Sequence, residues 1–306
     1  MILVTGATGI LGRVIVLELL KRGKTVRATK RKSSNLQEVR KSFQFYTETP
    51  NEYFDSIEWI EVDFEDIHSL QNALNGVEEV YHCAAKVSFH PKDEKKMYQT
   101  NIEGTKQLLF ACQNSSVKKF LFVSSIAVLD GLNENGELDE SSDFNPKIDH
   151  SAYAISKHFS EMEVWRASAE GLNTVIVNPG LIIGSGNWKE SSGTLFMEFE
   201  KNDYTFSGGT SYVDVRDVAQ ISIELMEKNI FGERFILVSE SAKYEEIGNS
   251  IRQKLGKSPM KLLPNVVLKV GFYLNLLFGW LFSPLKMANK VNVQSVTEFN
   301  KISNKK

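Results

Sequence analysis

Apolar residues recur along the first two-thirds of the chain in two alternating rhythms. Short β-branched and aliphatic runs read as strands at 2–5, 24–29, 58–63, 78–84, 118–124 and 173–178. Between them, apolar positions at helical spacing predict amphipathic helices near 10–22, 67–75, 95–113 and 150–170. Strands and helices alternating at this spacing imply parallel strands joined by helical crossovers. The expected fold class is α/β, a doubly wound parallel sheet. Residues 33–57 interrupt the rhythm as a longer polar connection carrying Phe43, Phe45, Tyr46 and Tyr53, read as an elaborated loop or helix without a core of its own. After about residue 180 the pattern changes. Gly, Ser and aromatics dominate 184–211, sheet-like character returns over 212–239, and a strongly apolar stretch lies within 262–285. The expected organisation is a core over 1–180, to which 212–239 returns, with a smaller C-terminal lobe built from 181–211 and 240–306.

The apolar stretch runs from Val266 to Phe282 between Pro264 and Pro284, and Lys269 and Asn275 interrupt it. It falls short of the roughly 18 clean residues of a membrane span. We expect a helix that covers the substrate cleft and lines it with hydrophobic groups. The competing reading is a helix lying on a membrane surface, with Trp280 and the phenylalanines at the interface.

Composition changes this picture little. Over 306 residues, 24% charged and 42% apolar side chains describe a soluble globular protein, and a net charge of −2 gives no pull toward nucleic acid. Cys83 and Cys112 sit in apolar surroundings without metal spacing, and the five histidines are scattered, so buried thiols and no metal site are expected. No signal-peptide pattern precedes the first strand, which makes a cytoplasmic location the expectation.

The chemistry begins at Thr5-Gly6-Ala7-Thr8-Gly9-Ile10-Leu11-Gly12, where a strand passes through a glycine turn into a helix. The first N–H groups of a helix lack internal partners, and the helix dipole favours an anion there. Gly6 permits the tight turn, Gly9 lets a pyrophosphate approach the backbone, and Gly12 lets the helix lie close on the sheet. This makes residues 1–180 a dinucleotide-binding core of the Rossmann kind. Such folds select NAD by an acid at the end of the second strand. Here the chain reads Val26-Arg27-Ala28-Thr29-Lys30-Arg31-Lys32, and guanidinium suits a 2′-phosphate that a carboxylate would repel. NADP(H) is therefore expected over NAD(H).

Tyr153-Ala-Ile-Ser-Lys157 places a phenol and an ammonium one helical turn apart on one face. A free tyrosine, with a pKa near 10, is ionised only about one part in a thousand at neutral pH. A neighbouring ammonium and an oxidised nicotinamide would lower that value and let the residue exchange a proton with a carbonyl or alcohol. Upstream, the apolar run Phe120-Leu-Phe-Val-Ser124-Ser125 ends in two hydroxyls at the carboxyl edge of the sheet, where open α/β folds bind ligands.

With these motifs in this order, the chain resembles the extended short-chain dehydrogenase/reductase family, particularly the branch of dihydroflavonol reductases and 3β-hydroxysteroid dehydrogenases. The resemblance covers most of the chain, strongly to about residue 230. It implies that Gly6, Thr8, Gly9, Ile10, Leu11 and Gly12 bind pyrophosphate and that Arg31 and Lys32 hold the 2′-phosphate. It places Asp63 and Phe64 beside adenine, and Ala84, Ala85 and Lys86 beside ribose and phosphates. Pro179, Leu181 and Ile182 belong to the turn that holds the carboxamide. Ser125, Tyr153 and Lys157 match the catalytic residues, the last two also touching cofactor, and Asn101 matches the asparagine that supports the lysine through water.

Departures from the family narrow the activity. Sugar-nucleotide dehydratases carry an Asp-Glu pair after the active-site hydroxyl, where this chain has Ile126 and Ala127. Many UDP-sugar epimerases carry a phosphate-holding arginine where this chain reads Gly209-Thr210-Ser211. The expectation is an NADP(H)-dependent reductase or alcohol dehydrogenase for a small apolar carbonyl or alcohol. A sugar-nucleotide epimerase and a non-catalytic dinucleotide-sensing protein remain as alternatives, and monomer and homodimer are both open.

Overall fold

The structure is a computed structural model that describes residues 1–186 and 192–305. The alternation read from the sequence is present. β1 (Ile2–Thr5), α1 (Ile10–Lys21), β2 (Val26–Lys30), α2 (Leu36–Ser42), α3 (Pro50–Asp55), β3 (Glu58–Glu61), α4 (Ile67–Ala73) and β4 (Glu79–His82) form the first half. α5 (Glu94–Tyr98), α6 (Gly104–Gln113), β5 (Lys119–Val123), α7 (Ala152–Ala169) and β6 (Asn173–Pro179) form the second. The main sheet has seven strands. β7 (Leu181–Ile183), α8 (Ser192–Lys201), β8 (Tyr204–Thr205), β9 (Gly209–Asp214) and α9 (Val215–Glu227) lead to β10 (Glu233–Leu237), its seventh member. The order is β10-β6-β5-β4-β1-β2-β3, every pairing parallel.

Parallel strands covered on both faces must be apolar on both, and these are. Val4, Leu121, Val175 and Val177 face the layer of α1 and α9. The alternate residues Leu3, Phe120, Phe122 and Ile176 face α4, α6 and α7. The connection 33–57 is more than a loop. It folds as α2, a short 3-10 turn and α3, and buries Val39, Phe43 and Phe54 in the same core as α1. The predicted helix 95–113 is split into α5 and α6 by a π-helical turn at Gln99–Glu103.

The return of 212–239 to the core is partial. α9 and β10 join it, but β9 belongs to a separate three-stranded sheet with β7 and β11 (Glu240–Lys243). α10 (Tyr244–Lys254) packs on α8, and β12 (Lys261–Leu262) pairs with β8. Of the expected lobe segment 181–211, residues 187–191 lie outside the described residues.

α11 (Asn265–Phe278) confirms the predicted helix. It has no buried residue and packs against the Ser283–Met287 turn and α12 (Lys290–Thr297). Only the stripe of Leu268, Gly271, Phe272 and Asn275 is partly covered. The rest of its apolar surface stands in solvent. Among the described residues, no helix is long and apolar enough to cross a membrane.

Candidate active site

Because the strands are parallel, the carboxyl ends of β1, β4, β5 and β6 meet at one edge of the sheet. Gly6 turns there with φ +65°, and a Cβ on it would stand 2.6 Å from the Ala84 backbone nitrogen. A Cβ on Gly12 would overlap the Gly6 carbonyl. The three glycines thus let β1, the β4 end and α1 converge. α1 starts at Gly9 with no side-chain cap and no acid in its first turn, which leaves its N–H groups and dipole to an anion. Thr8 and Ile10 are partly exposed at this opening, Leu11 is buried beneath it, and the loop fits a dinucleotide pyrophosphate.

Arg13, which the sequence reading passed over, organises this loop. Its guanidinium is wholly buried and donates to the carbonyls of Thr8 and Gly9 and to Glu38 at 2.7 Å. A lone charge inside Ile10–Leu17, an otherwise uncharged apolar run, is the signal that could have found it. Beyond β2, Arg31 and Lys32 are exposed, and Lys30 pairs with Glu61 at 3.3 Å. The acid of α2, Glu38, is held by Arg13.

Asp63 is exposed and caps the following turn by accepting from the Glu65 N–H. Phe64 stacks on His82 at 5.8 Å. His82 is buried between the hydroxyls of Thr5 (2.6 Å) and Thr105 (2.9 Å), a pairing that suits a neutral ring, one nitrogen accepting and the other donating. Burial pushes it down to about 3. Ala84 donates its N–H to Thr5 Oγ1 at 3.3 Å, and Ala85 is exposed beside it. Asn101, in the π turn, holds Lys86 by both backbone groups, at 2.7 Å to N–H and 3.0 Å to C=O, and donates to Ser156 Oγ at 2.9 Å. Its own carbonyl accepts from Ser160 at 2.8 Å. Asn101 therefore ties the β4 end to α7, and its side chain is directed to Lys86 and Ser156.

Tyr153 lies half-buried in the first turn of α7, which Ser151 caps by accepting from the Ala154 N–H. The Ser125 side chain lies beside its phenol, and the Phe89 ring packs edge-on against it at 6.5 Å. Burial raises the phenol above its ordinary value, opposed by the Ser125 side chain. This departs from the expected lowering by Lys157, whose Nζ instead donates to the Val123 carbonyl at 2.6 Å, 4.2 Å above the Phe122 ring. Burial pushes Lys157 down to about 8, with the Glu161 carboxylate opposing.

Ser125 accepts from the Ala127 N–H at 3.2 Å, and its carbonyl is held by Asn178. Behind them lies a polar cluster the sequence reading missed. Buried Glu161, one turn beyond Lys157, accepts from Asn178 at 2.7 Å and faces Arg234 at 3.7 Å. Pro179 is buried at the end of β6, Gly180 donates to the Leu237 carbonyl, and Leu181 and Ile182 are partly exposed on β7. Burial raises both free thiols, Cys83 to about 12, and no metal cluster occurs among the described residues.

The sequence profile of the NAD dependent epimerase/dehydratase family matches residues 2–237. The chain is 31% identical over 248 residues to the sterol demethylase protein B of Methylococcus capsulatus, covering 80% of this chain and 71% of the relative. It is 27% identical over 266 residues to the dihydroflavonol 4-reductase of Arabidopsis thaliana, covering 82% and 68%. The crystal structure of gox2253 superposes with a TM-score of 0.80 at 25% identity, over 99% of this chain and 90% of that one. Glycine loop, parallel sheet and relatives agree: this chain is an enzyme of the NAD-dependent epimerase/dehydratase family, in the extended short-chain dehydrogenase/reductase branch of the dihydroflavonol reductases.

Proposed function

We propose that the protein is an NADP(H)-dependent oxidoreductase that interconverts a ketone or aldehyde and an alcohol on an apolar small molecule. The observation that carries this reading is the Tyr153 phenol beside Ser125 at the carboxyl edge of the sheet, one turn from buried Lys157. When bound, the nicotinamide supplies or accepts the hydride. At neutral pH the Tyr153 phenol is neutral and protonates the carbonyl oxygen in reduction, and in the reverse direction its phenolate takes the proton from the alcohol. Ser125 holds that oxygen in line with the phenol. Lys157, largely charged at neutral pH with a value of about 8, would hold the ribose of the cofactor one turn from the phenol. Asn101 sets the spacing between the β4 end and α7, so it acts as a positioning residue.

NADP(H) is favoured because Arg31 and Lys32 are exposed past β2 while Glu38 is occupied by Arg13. The epimerase reading needs a cation for the nucleotide phosphates. At its place stands Gly209-Thr210-Ser211, with Ser211 bonded to Ser241 at 2.7 Å. The test is to mix the purified protein with NADPH or NADH and a panel of apolar ketones and aldehydes, and in parallel with NAD and UDP-sugars. Carbonyl-dependent NADPH consumption is expected. UDP-sugar epimerisation without net cofactor consumption would replace this reading.

A further inference from the structure

The outward row of α11, Val266, Val270, Tyr273 and Leu277, is 51–68% exposed, and the row continues into Trp280, Leu281 and Phe282 at 76, 54 and 58%. An exposed apolar surface of this extent marks an interaction site. Its electrostatic setting identifies the partner. From Arg252 to Lys306 the chain carries ten lysines and arginines and one acid, Glu298, although the whole protein has a net charge of −2. Among the described residues, Lys261, Lys269 and Lys286 form no ion pair, and Lys269 flanks the apolar row on the helix itself. An apolar helix face edged by free lysines, with an exposed tryptophan at its end, suits the headgroup region of an anionic bilayer. A second copy of this chain suits it less, because a two-fold contact would set the same basic rim against itself.

We propose that α11 and residues 280–282 dock the protein on the surface of an anionic lipid bilayer. The docked face is linked to the catalytic edge. Asn292 of α12 donates to the Phe89 carbonyl at 3.0 Å, and the Phe89 ring packs against Tyr153. A substrate dissolved in the bilayer is thereby held near the site. That consequence rests on the reductase reading; the docking does not.

The test is flotation of the full chain with phosphatidylcholine vesicles made with and without phosphatidylglycerol. The wild type is expected to float with the anionic vesicles, and less so at high salt, where screening shortens the reach of the lysines. Each lysine is worth roughly a fivefold change in partitioning, so Lys269→Glu with Lys286→Glu should lower it roughly 25-fold or more. Val270→Asp with Leu277→Asp should abolish flotation. Thermal melts and NADPH binding verify that both variants are folded, and flotation needs no turnover, so failure of the reductase reading leaves this result intact. Wild-type protein that stays unbound with anionic vesicles overturns the proposal, as does flotation unchanged in both variants. So does a dimer by light scattering that the Asp variant splits, with no flotation of the wild type.

Discussion

At the scale of single residues, the site rests on groups whose titration burial has moved. Tyr153→Phe deletes the proposed proton donor while leaving the glycine loop intact. It should keep NADPH binding and lower turnover roughly 10²- to 10⁴-fold, read by steady-state kinetics beside a cofactor titration. Lys157 loses its charge as pH rises through about 8. NADPH affinity should therefore weaken above that pH in the wild type and be both weaker and flat in Lys157→Met, as measured by fluorescence titration across pH. His82 titrates on the acid side. Its folded value of about 3 lies below the ordinary value of about 6.5, so the unfolded chain binds the proton first. Its contribution is complete above about pH 6.5 and shrinks as pH falls, by about 2 kcal/mol at about pH 5. Urea titrations should show a shallower acid loss in His82→Gln, even though that variant starts less stable. Equal slopes would mean that His82 is not the titrating group.

At the scale of elements, the glycine loop is a packing device as much as a ligand cradle. Gly12→Ala puts a methyl group into the Gly6 carbonyl, so α1 must move off the loop. A loss of about 1–3 kcal/mol is expected from the overpacking, with a larger loss of cofactor affinity, measured by thermal melts with and without NADPH. These elements were legible in the sequence because each writes a short-range pattern: β-branched runs for β1 and β6, an aromatic and aliphatic run for β5, and Gly6, Gly9 and Gly12 at a fixed spacing. The π turn was not, since nothing in Gln99–Glu103 departs from helical periodicity. It is maintained by Asn101 reaching Lys86, 15 residues away. The Glu161–Asn178–Arg234 cluster escaped for the same reason, its members meeting only after β6 and β10 pair. α11 was read as a helix, but what its apolar side chains face was not legible, because hydrophobicity sets a helix's preference for an apolar surface and does not say whether that surface belongs to the protein.

At the scale of the whole molecule, charge is divided. The core holds the acidic excess, the C-terminal fifth is basic, and the cofactor edge carries its own exposed pair, Arg31 and Lys32. Arg31→Asp should weaken NADPH roughly 100-fold, the strength of one or two charge-assisted contacts, and bring NADH and NADPH affinities together in a paired titration. Equal wild-type affinity for the two cofactors would remove the assignment. The central claim is net transfer of hydride to a carbonyl with the proton supplied by Tyr153, and isotope tracing tests it most directly. NADPH deuterated at the transferring position of the nicotinamide is incubated with the wild type and with Tyr153→Phe, together with the apolar carbonyl that turns over best. The account predicts deuterium on the carbinol carbon of the product alcohol in the wild type, and little product in the variant. Products without deuterium, or a variant as fast as the wild type, would contradict it.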